Sequence, residues 1–314
     1  MTGSIHETPA SPHVWQPKTA EEAWQCKQAC GSEGIYIAGG TLLHTRWEAG
    51  IAAMPPHLID ISGIDGLNGI KIGEAGLELG SAVSLQACRN HPMLLRRFPL
   101  LTEAMRAIAA PSVRHLGTIG GNVLSIVGDS ITALLAYDAA LVWFNGQSEQ
   151  TEKLTDWLPN AAVPGYTDDR LLLRIVLPLE GADDKQNRCT DLGAAGNKRH
   201  YGAFHKIGRR EAFTPSVVTA AVLVTLSEAG EIETLRIAAG GGQTVPARLE
   251  EAEQDGIGKQ IDTDLLRRIY ERVGQIYKPQ EDAFATSAYR KQTAANLIVT
   301  ELWKAGGGID GQGG

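Results

Sequence analysis

Short apolar runs alternate with helically spaced segments along the first half of the chain. Apolar runs of strand length occupy residues 35–38, 58–61, 141–144 and 171–177, and residues 67–79 add shorter strands separated by glycines. Helical spacing covers residues 18–30 and 93–110, the second interrupted near Pro99 and ended by Pro111. The pattern predicts a mixed helix–strand unit, with Asn145-Gly146 closing a hairpin through a type I′ turn.

The second half of the chain has longer strand patterns and ends in helices. Its predicted elements, in order, are strands at 201–207, 220–226 and 232–239 and helices at 262–277 and 287–304. The triple glycine at 240–242 predicts a tight turn, because no helical pattern follows it. Residues 180–197 are rich in Gly, Asp, Lys and Asn, so they are the expected boundary between the two halves.

Two glycine loops carry the candidate chemistry. Gly39-Gly40-Thr41 follows the strand at 35–38 and opens a helical segment, while residues 117–122 precede a helix that starts near Asp129. Consecutive glycines can leave backbone N–H groups uncovered, and a helix N-terminus attracts negative charge. A strand, a glycine pair and a helix start are therefore typical of a diphosphate cradle. For either loop alone, a plain glycine turn is the alternative interpretation.

Composition narrows the possible partners. The 314 residues are 43% apolar and 21% charged, as in an ordinary globular protein, and the length favours two domains. Lys and Arg total 29 against 36 Asp and Glu, a net charge of −7, which argues against nucleic acid or an anionic membrane as a partner. The sequence contains no run of eighteen apolar residues, so we expect no membrane span.

The cysteines and histidines do not form a metal-binding pattern. Cys26, Cys30, Cys88 and Cys189 include no Cys-x-x-Cys pair, so the chain lacks the ligands for an iron–sulfur cluster of its own. The eight histidines are scattered without ligand spacing, which predicts no metal site. Because no signal peptide is recognised, we expect reduced thiols and a cytoplasmic location.

Four motifs together resemble a known family. They are AGGT at 38–41, TIGGN at 118–122 with Asp129 after it, FHKIGRR at 204–210 and SAYRK at 287–291. The chain resembles, over roughly residues 13–304, the FAD-binding subunit of the molybdenum hydroxylases, which include xanthine dehydrogenase and carbon monoxide dehydrogenase. Two departures stand out: Leu42 replaces a frequent acidic residue, and the spacing from Asn122 to Asp129 is about two residues short and lacks Ser-Pro.

The resemblance implies an α+β fold in two domains. Residues 13–185 would form a split, two-lobed FAD-binding domain like those of the PCMH and vanillyl-alcohol oxidase type. Residues 198–304 would form a small C-terminal domain like that of CO dehydrogenase flavoproteins, with a three-stranded sheet and packed helices.

The resemblance also implies a set of cofactor-binding residues but no catalytic or metal-binding residue. Asp129 would contact the flavin's sugar or ring side, and Ile108, Leu172 and Lys206 would line the ring. Lys206 also stands out by itself, because an ammonium in an apolar strand requires an anion or solvent nearby. The diphosphate and ribityl chain would be held by Ile35, Tyr36, Ile37, Ala38, Gly39, Gly40, Thr41, Leu42, Thr118, Ile119, Gly120, Gly121 and Asn122.

The function that the resemblance implies is electron transfer within a complex. Electrons would pass from two-iron two-sulfur clusters through FAD to NAD⁺ or another acceptor, in purine or xanthine oxidation. The partners would be an iron–sulfur subunit and a large molybdopterin-binding subunit, assembled as a dimer of heterotrimers. Two alternatives are a flavin-free assembly or scaffold subunit, which Leu42 and the shortened spacing favour, and a stand-alone FAD oxidoreductase.

Overall fold

A computed structural model describes residues 11–179, 198–209 and 216–308, which form three sheets flanked by helices. The strands are β1 His13–Trp15, β2 Gly34–Ile37, β3 His57–Asp60, β4 Ile70–Ile72, β5 Leu77–Gly80, β6 Ala140–Phe144, β7 Glu149–Lys153, β8 Leu171–Leu177, β9 Arg199–Gly208, β10 Ser216–Leu226, β11 Ile232–Gly241 and β12 Thr244–Arg248. The helices are α1 Ala20–Cys30, α2 Thr41–Glu48, α3 Leu85–Asn90, α4 Pro92–Arg97, α5 Pro99–Ala107, α6 Pro111–Leu116, α7 Ile119–Leu124, α8 Asp129–Ala136, α9 Leu154–Ala161, α10 Glu250–Gly256, α11 Thr263–Ile276 and α12 Ser287–Ala305.

The first lobe is a small parallel sheet in the order β1-β3-β2. Strands β2 and β3 confirm the apolar runs at 35–38 and 58–61, and α2 supplies the crossover that two parallel strands need. Helix α1, capped by the Thr19 side chain, buries Ala23 in the same core as Ile59. Strand β2 ends at Ile37, and the first glycine loop follows directly.

The second lobe is an antiparallel sheet in the order β4-β5-β8-β6-β7, which shares one hydrophobic core with α3, α5 and α8. The hairpin between β6 and β7 differs from the prediction. Because Phe144 pairs with Glu149, four residues form the loop, and the type I′ prediction was wrong. The Asn145 side chain accepts hydrogen bonds from the amides of Gln147 and Ser148 and thereby closes the longer turn.

The C-terminal domain is an antiparallel sheet in the order β12-β11-β10-β9, with α10, α11 and α12 packed on it. The three expected strands are present, and β12 corrects the expected count from three to four. Residues 244–248 follow the glycine turn as a short edge strand, a position that tolerates Pro246. The α+β prediction is confirmed, whereas the boundary expected at 180–197 lies outside the described residues.

Helix α8 joins the two domains. Seven of its eight residues are buried, including the polar Ser130 and Thr132, and it contacts both β10 and β11. The hydroxyls of Thr132 and Thr219 lie 2.8 Å apart in this interface. Just after the helix, Asp138 accepts hydrogen bonds from the side chains of Arg236 and Arg248. No helix in the described part of the chain is long and apolar enough to cross a membrane.

Arg290 explains the last glycine of the run at 240–242. This buried guanidinium donates to the Val217 carbonyl and forms an ion pair with Asp282. Gly242 has φ +63°, and a Cβ built on it would lie 2.5 Å from Arg290 Nη1. Only a glycine can lie in this position against the arginine without strain.

We expect Gly242→Ala to lower the free energy of unfolding by about 2 kcal/mol, because it combines a left-handed backbone with a steric overlap. Gly274→Ala in α11 is the matched control. Its new methyl group would meet nothing within 4 Å, so helix propensity should stabilise it by up to about 1 kcal/mol. Urea denaturation of both variants provides the measurement, and equal midpoints would contradict the role given to Arg290.

Candidate cofactor site

The two glycine loops lie against each other. A Cβ added to Gly39 would lie 1.9 Å from the carbonyl oxygen of Leu116 and 3.0 Å from the Cα of Gly117. A Cβ on Gly117 would in turn lie 3.3 Å from the Thr41 hydroxyl. The loops, about eighty residues apart in sequence, therefore form one surface because Gly39 has no side chain.

The first loop contains backbone amides that can donate hydrogen bonds to a ligand. Gly40, with φ +62°, is the N-cap residue of α2, and no side chain caps that helix. The amides of residues 38–40 donate no hydrogen bond to any other described residue. Because the helix dipole adds partial positive charge at the same place, this loop can bind a diphosphate.

The second loop differs from the sequence expectation. Thr118 caps α7, and the glycine pair lies in the first turn of that helix instead of in an open turn. All four amides of residues 119–122 donate within the protein, to Val83 O, Ser81 O, Thr118 Oγ1 and Thr118 O, at 2.9–3.1 Å. The expectation of uncovered amides was therefore wrong for this loop, because tertiary and capping hydrogen bonds use them.

Asn122 offers a side-chain donor in place of those amides. Its Oδ1 accepts hydrogen bonds from both the amide and the hydroxyl of Ser130. The hydrogen bonds of the Asn122 side chain to described residues all go to Oδ1, so its Nδ2 group can donate to a ligand. Gly128 permits this arrangement, since a Cβ there would lie 2.4 Å from Asn122 Oδ1.

Lys206 connects the C-terminal domain to this site. From β9, its Nζ forms a 2.7 Å ion pair with Asp129, the first residue of α8, and donates to the Ala107 carbonyl at 2.9 Å. Both side chains are largely buried, with 10% and 13% exposure. The anion expected beside Lys206 is therefore Asp129. An ammonium has three donors, and the described residues accept from two of them, which leaves one N–H for a ligand.

The other candidate residues differ in accessibility. Ile108 follows α5 and is 8% exposed, whereas Leu42, in the first turn of α2, is 45% exposed. Leu172 is 2% exposed and lies in the core of the second lobe, opposite Trp143 in β6. In β2, Tyr36 donates to the carbonyl of Asp169, and burial raises the pKa of its phenol.

Sequence reasoning missed the residues that support this site. Ser130 orients Asn122, the Ala107 carbonyl orients Lys206, and Arg114 contacts the loop around Ile108. The only signal in the sequence was their nearness to the two glycine loops. Among the described residues, no three His, Cys, Asp or Glu side chains are grouped so that they could hold a metal ion.

Fold and site together define a protein of the dinucleotide-binding class. The family model described as the FAD binding domain in molybdopterin dehydrogenase matches residues 8–180. The model of the CO dehydrogenase flavoprotein C-terminal domain matches residues 203–304. The chain therefore belongs to the family of FAD-binding medium subunits of the molybdenum hydroxylases, and it is an oxidoreductase subunit.

Individual relatives act on different substrates. The chain is 27% identical to the xanthine dehydrogenase FAD-binding subunit of Escherichia coli O157:H7, over 80% of this chain and 83% of that protein. It is 24% identical to the glyceraldehyde dehydrogenase medium chain of Sulfolobus acidocaldarius, with 84% and 87% covered. A chain of the reconstituted CO dehydrogenase from Oligotropha carboxidovorans has the same fold, with TM-score 0.82, 22% identity and 96% and 99% covered.

We expect Gly39→Ala to weaken FAD binding about tenfold or more, since the methyl group would force the two loops apart. The matched control is Gly69→Ala, where the Cβ would meet nothing within 4 Å. Titration of each apoprotein with FAD, followed by flavin fluorescence, provides the measurement. Equal affinities in the two variants would show that contact between the loops does not matter for the cofactor.

Proposed function

We propose that this subunit transfers electrons from iron–sulfur clusters through FAD to NAD⁺, in a molybdenum hydroxylase complex that oxidises a purine such as xanthine. The observation that supports it most is the continuity of the site. Uncovered amides at 38–40 adjoin the second loop, and Asn122 and Ser130 connect that loop to Asp129 and Lys206. Amide donors at one end and a cation at the other suit a long dinucleotide such as FAD.

In this proposal, residues 35–42 and 118–122 hold the diphosphate and ribityl chain of FAD. The first loop supplies amides, and the second supplies the Asn122 side chain. Asp129 contacts the sugar or ring side, and Ile108, Leu172 and Lys206 line the ring. Of these residues, Lys206 has the strongest support, because it contacts Asp129. Leu172 has the weakest support, because it is buried in the core of the second lobe.

The chain's own residues position the ring and set the charge around it. A bound flavin supplies the exchange of single electrons for electron pairs. The remaining N–H of Lys206 can donate to the ring edge, and its positive charge favours an electron-rich ring. Asp129 offsets the cost of burying that ammonium and keeps it in place.

The metal cofactors belong to partner subunits in this proposal. The cysteines do not have the spacing of an iron–sulfur cluster, so single electrons must arrive from another chain. We assign the clusters to a small two-iron two-sulfur subunit and the substrate pocket to a large molybdopterin subunit. We propose a cytoplasmic dimer of such heterotrimers, in which this chain is the middle electron carrier.

The first expected outcome concerns the cofactor. The purified chain should have the visible absorption of a flavin and release FAD in an amount equimolar with the protein when it is denatured. A colourless chain that also fails to take up added FAD would overturn the proposal and favour a flavin-free assembly subunit. The exposed Leu42 would then be the first residue to examine.

The second expected outcome concerns partners and acceptor. Without oxygen, NADH should bleach the flavin band of the isolated chain, because electron transfer between NAD⁺ and the flavin is reversible. Xanthine should bleach it only after the partner subunits are added.

Bleaching by xanthine in the isolated chain would contradict the need for partners, and no bleaching by NADH would exclude NAD⁺ as the acceptor. Turnover of an aldehyde but not xanthine by the full complex would exclude the purine substrate.

A further inference from the structure

The loop between α5 and α6 has a strained backbone beside the site. Helix α5 ends at Ala107, Ile108 is extended, and Ala109 has φ +43°, a left-handed value that is uncommon for a residue with a side chain. Pro111 then begins α6. Such strain persists only where the surroundings hold it, and here it lies next to Ile108, a proposed neighbour of the flavin ring.

Arg114 is the residue that holds this loop. Its Nη1 donates to the carbonyls of Ile108 at 2.8 Å and Ala109 at 2.6 Å, and its Nε donates to Gln86 at 3.2 Å. The residue is only 5% exposed. Burial, and then the neighbouring Arg89, lower the pKa of Arg114, but an arginine stays charged at neutral pH.

Lys206 holds the residue directly before this loop, by donating to the Ala107 carbonyl at the end of α5. Two cations from different domains therefore bind consecutive carbonyls at the C-terminal end of α5, where the helix dipole favours positive charge. Among the described residues, the Ala107 carbonyl and Asp129 are the two acceptors that orient the Lys206 ammonium. Any shift of the loop would consequently move Lys206 as well as Ile108.

We propose that Arg114 is a positioning residue for the flavin: it fixes the α5–α6 loop so that Ile108 and the Lys206 ammonium lie correctly against the ring. The inference rests on the proposed cofactor site and deepens it. Arg114 itself contacts protein groups, so its effect on FAD passes through the Ile108 and Ala109 carbonyls to the loop, and from Ala107 to Lys206.

The guanidinium geometry is part of this role. Arginine has five donors in a rigid fork, so one side chain can bind two carbonyls and still donate to Gln86. A lysine has the same charge on a single nitrogen and cannot reach all three acceptors in these directions. Arg114→Lys should therefore keep the buried charge but lose part of the positioning, which separates geometry from electrostatics.

The test compares Arg114→Met and Arg114→Lys with Arg106→Met in the full chain. Arg106 lies in α5 but pairs with Glu103 and has a largely exposed side chain, so its loss should leave FAD binding unchanged. We expect Arg114→Met to bind FAD about tenfold more weakly, a ratio equivalent to losing one charge-assisted hydrogen bond. Arg114→Lys should be intermediate, and Gln86→Leu offers a milder change if Arg114→Met does not fold.

A double-mutant cycle with Lys206→Met separates positioning from simple loss of stability. If Arg114 acts through the loop and Lys206, removing both side chains should weaken FAD binding by less than the product of the single effects. The flavin potential should also shift in Arg114→Lys. Lower thermal stability with unchanged FAD affinity and potential would overturn the inference, whereas a wild-type chain that binds no FAD would overturn the proposed function itself.

Discussion

The ion pair between Lys206 and Asp129 is the constraint on which the arrangement of the two domains at the site depends. A largely buried ammonium requires compensation, and removing one partner of such a pair typically costs about 3–5 kcal/mol. Here the compensation comes from the start of α8 and from the end of α5, which brings three distant segments to one nitrogen atom. The sheet of the C-terminal domain must therefore dock where β9 brings Lys206 to Asp129 and to the Ala107 carbonyl.

The two glycine loops offer a ligand different hydrogen-bond donors. The first loop leaves its amides uncovered at the start of α2, where they can meet an anion. The second uses its amides to fix its own helix against Ser81 and Val83, and presents Asn122 instead. A rigid second loop gives the flexible ligand a fixed surface. The close contact at Gly39 places this surface beside the uncovered amides of the first loop.

Two of three strained backbone positions lie beside the site, and the third lies in the domain interface. Among the described residues other than glycine, positive φ occurs at Ala109, Ile126 and Asp138. Arg114 holds Ala109, while Arg236 and Arg248 hold Asp138 across the domain interface. Ile126 is β-branched and lies in the shortened stretch between Asn122 and Asp129, where few residues connect α7 to α8. Strain of this kind is typical of sites whose geometry is set in advance of binding.

The sequence by itself determined the elements and the class of site, because hydrophobic periodicity, proline breaks and glycine pairs act locally. The apolar run at 171–177 became β8, the pattern at 287–304 became α12, and the two glycine loops were recognisable from their residues. Only the tertiary structure decided which loop keeps free amides, that Asp129 is the partner of Lys206, and that Arg114 and Arg290 are buried. Those outcomes depend on contacts between segments far apart in the chain, and no local pattern encodes such contacts.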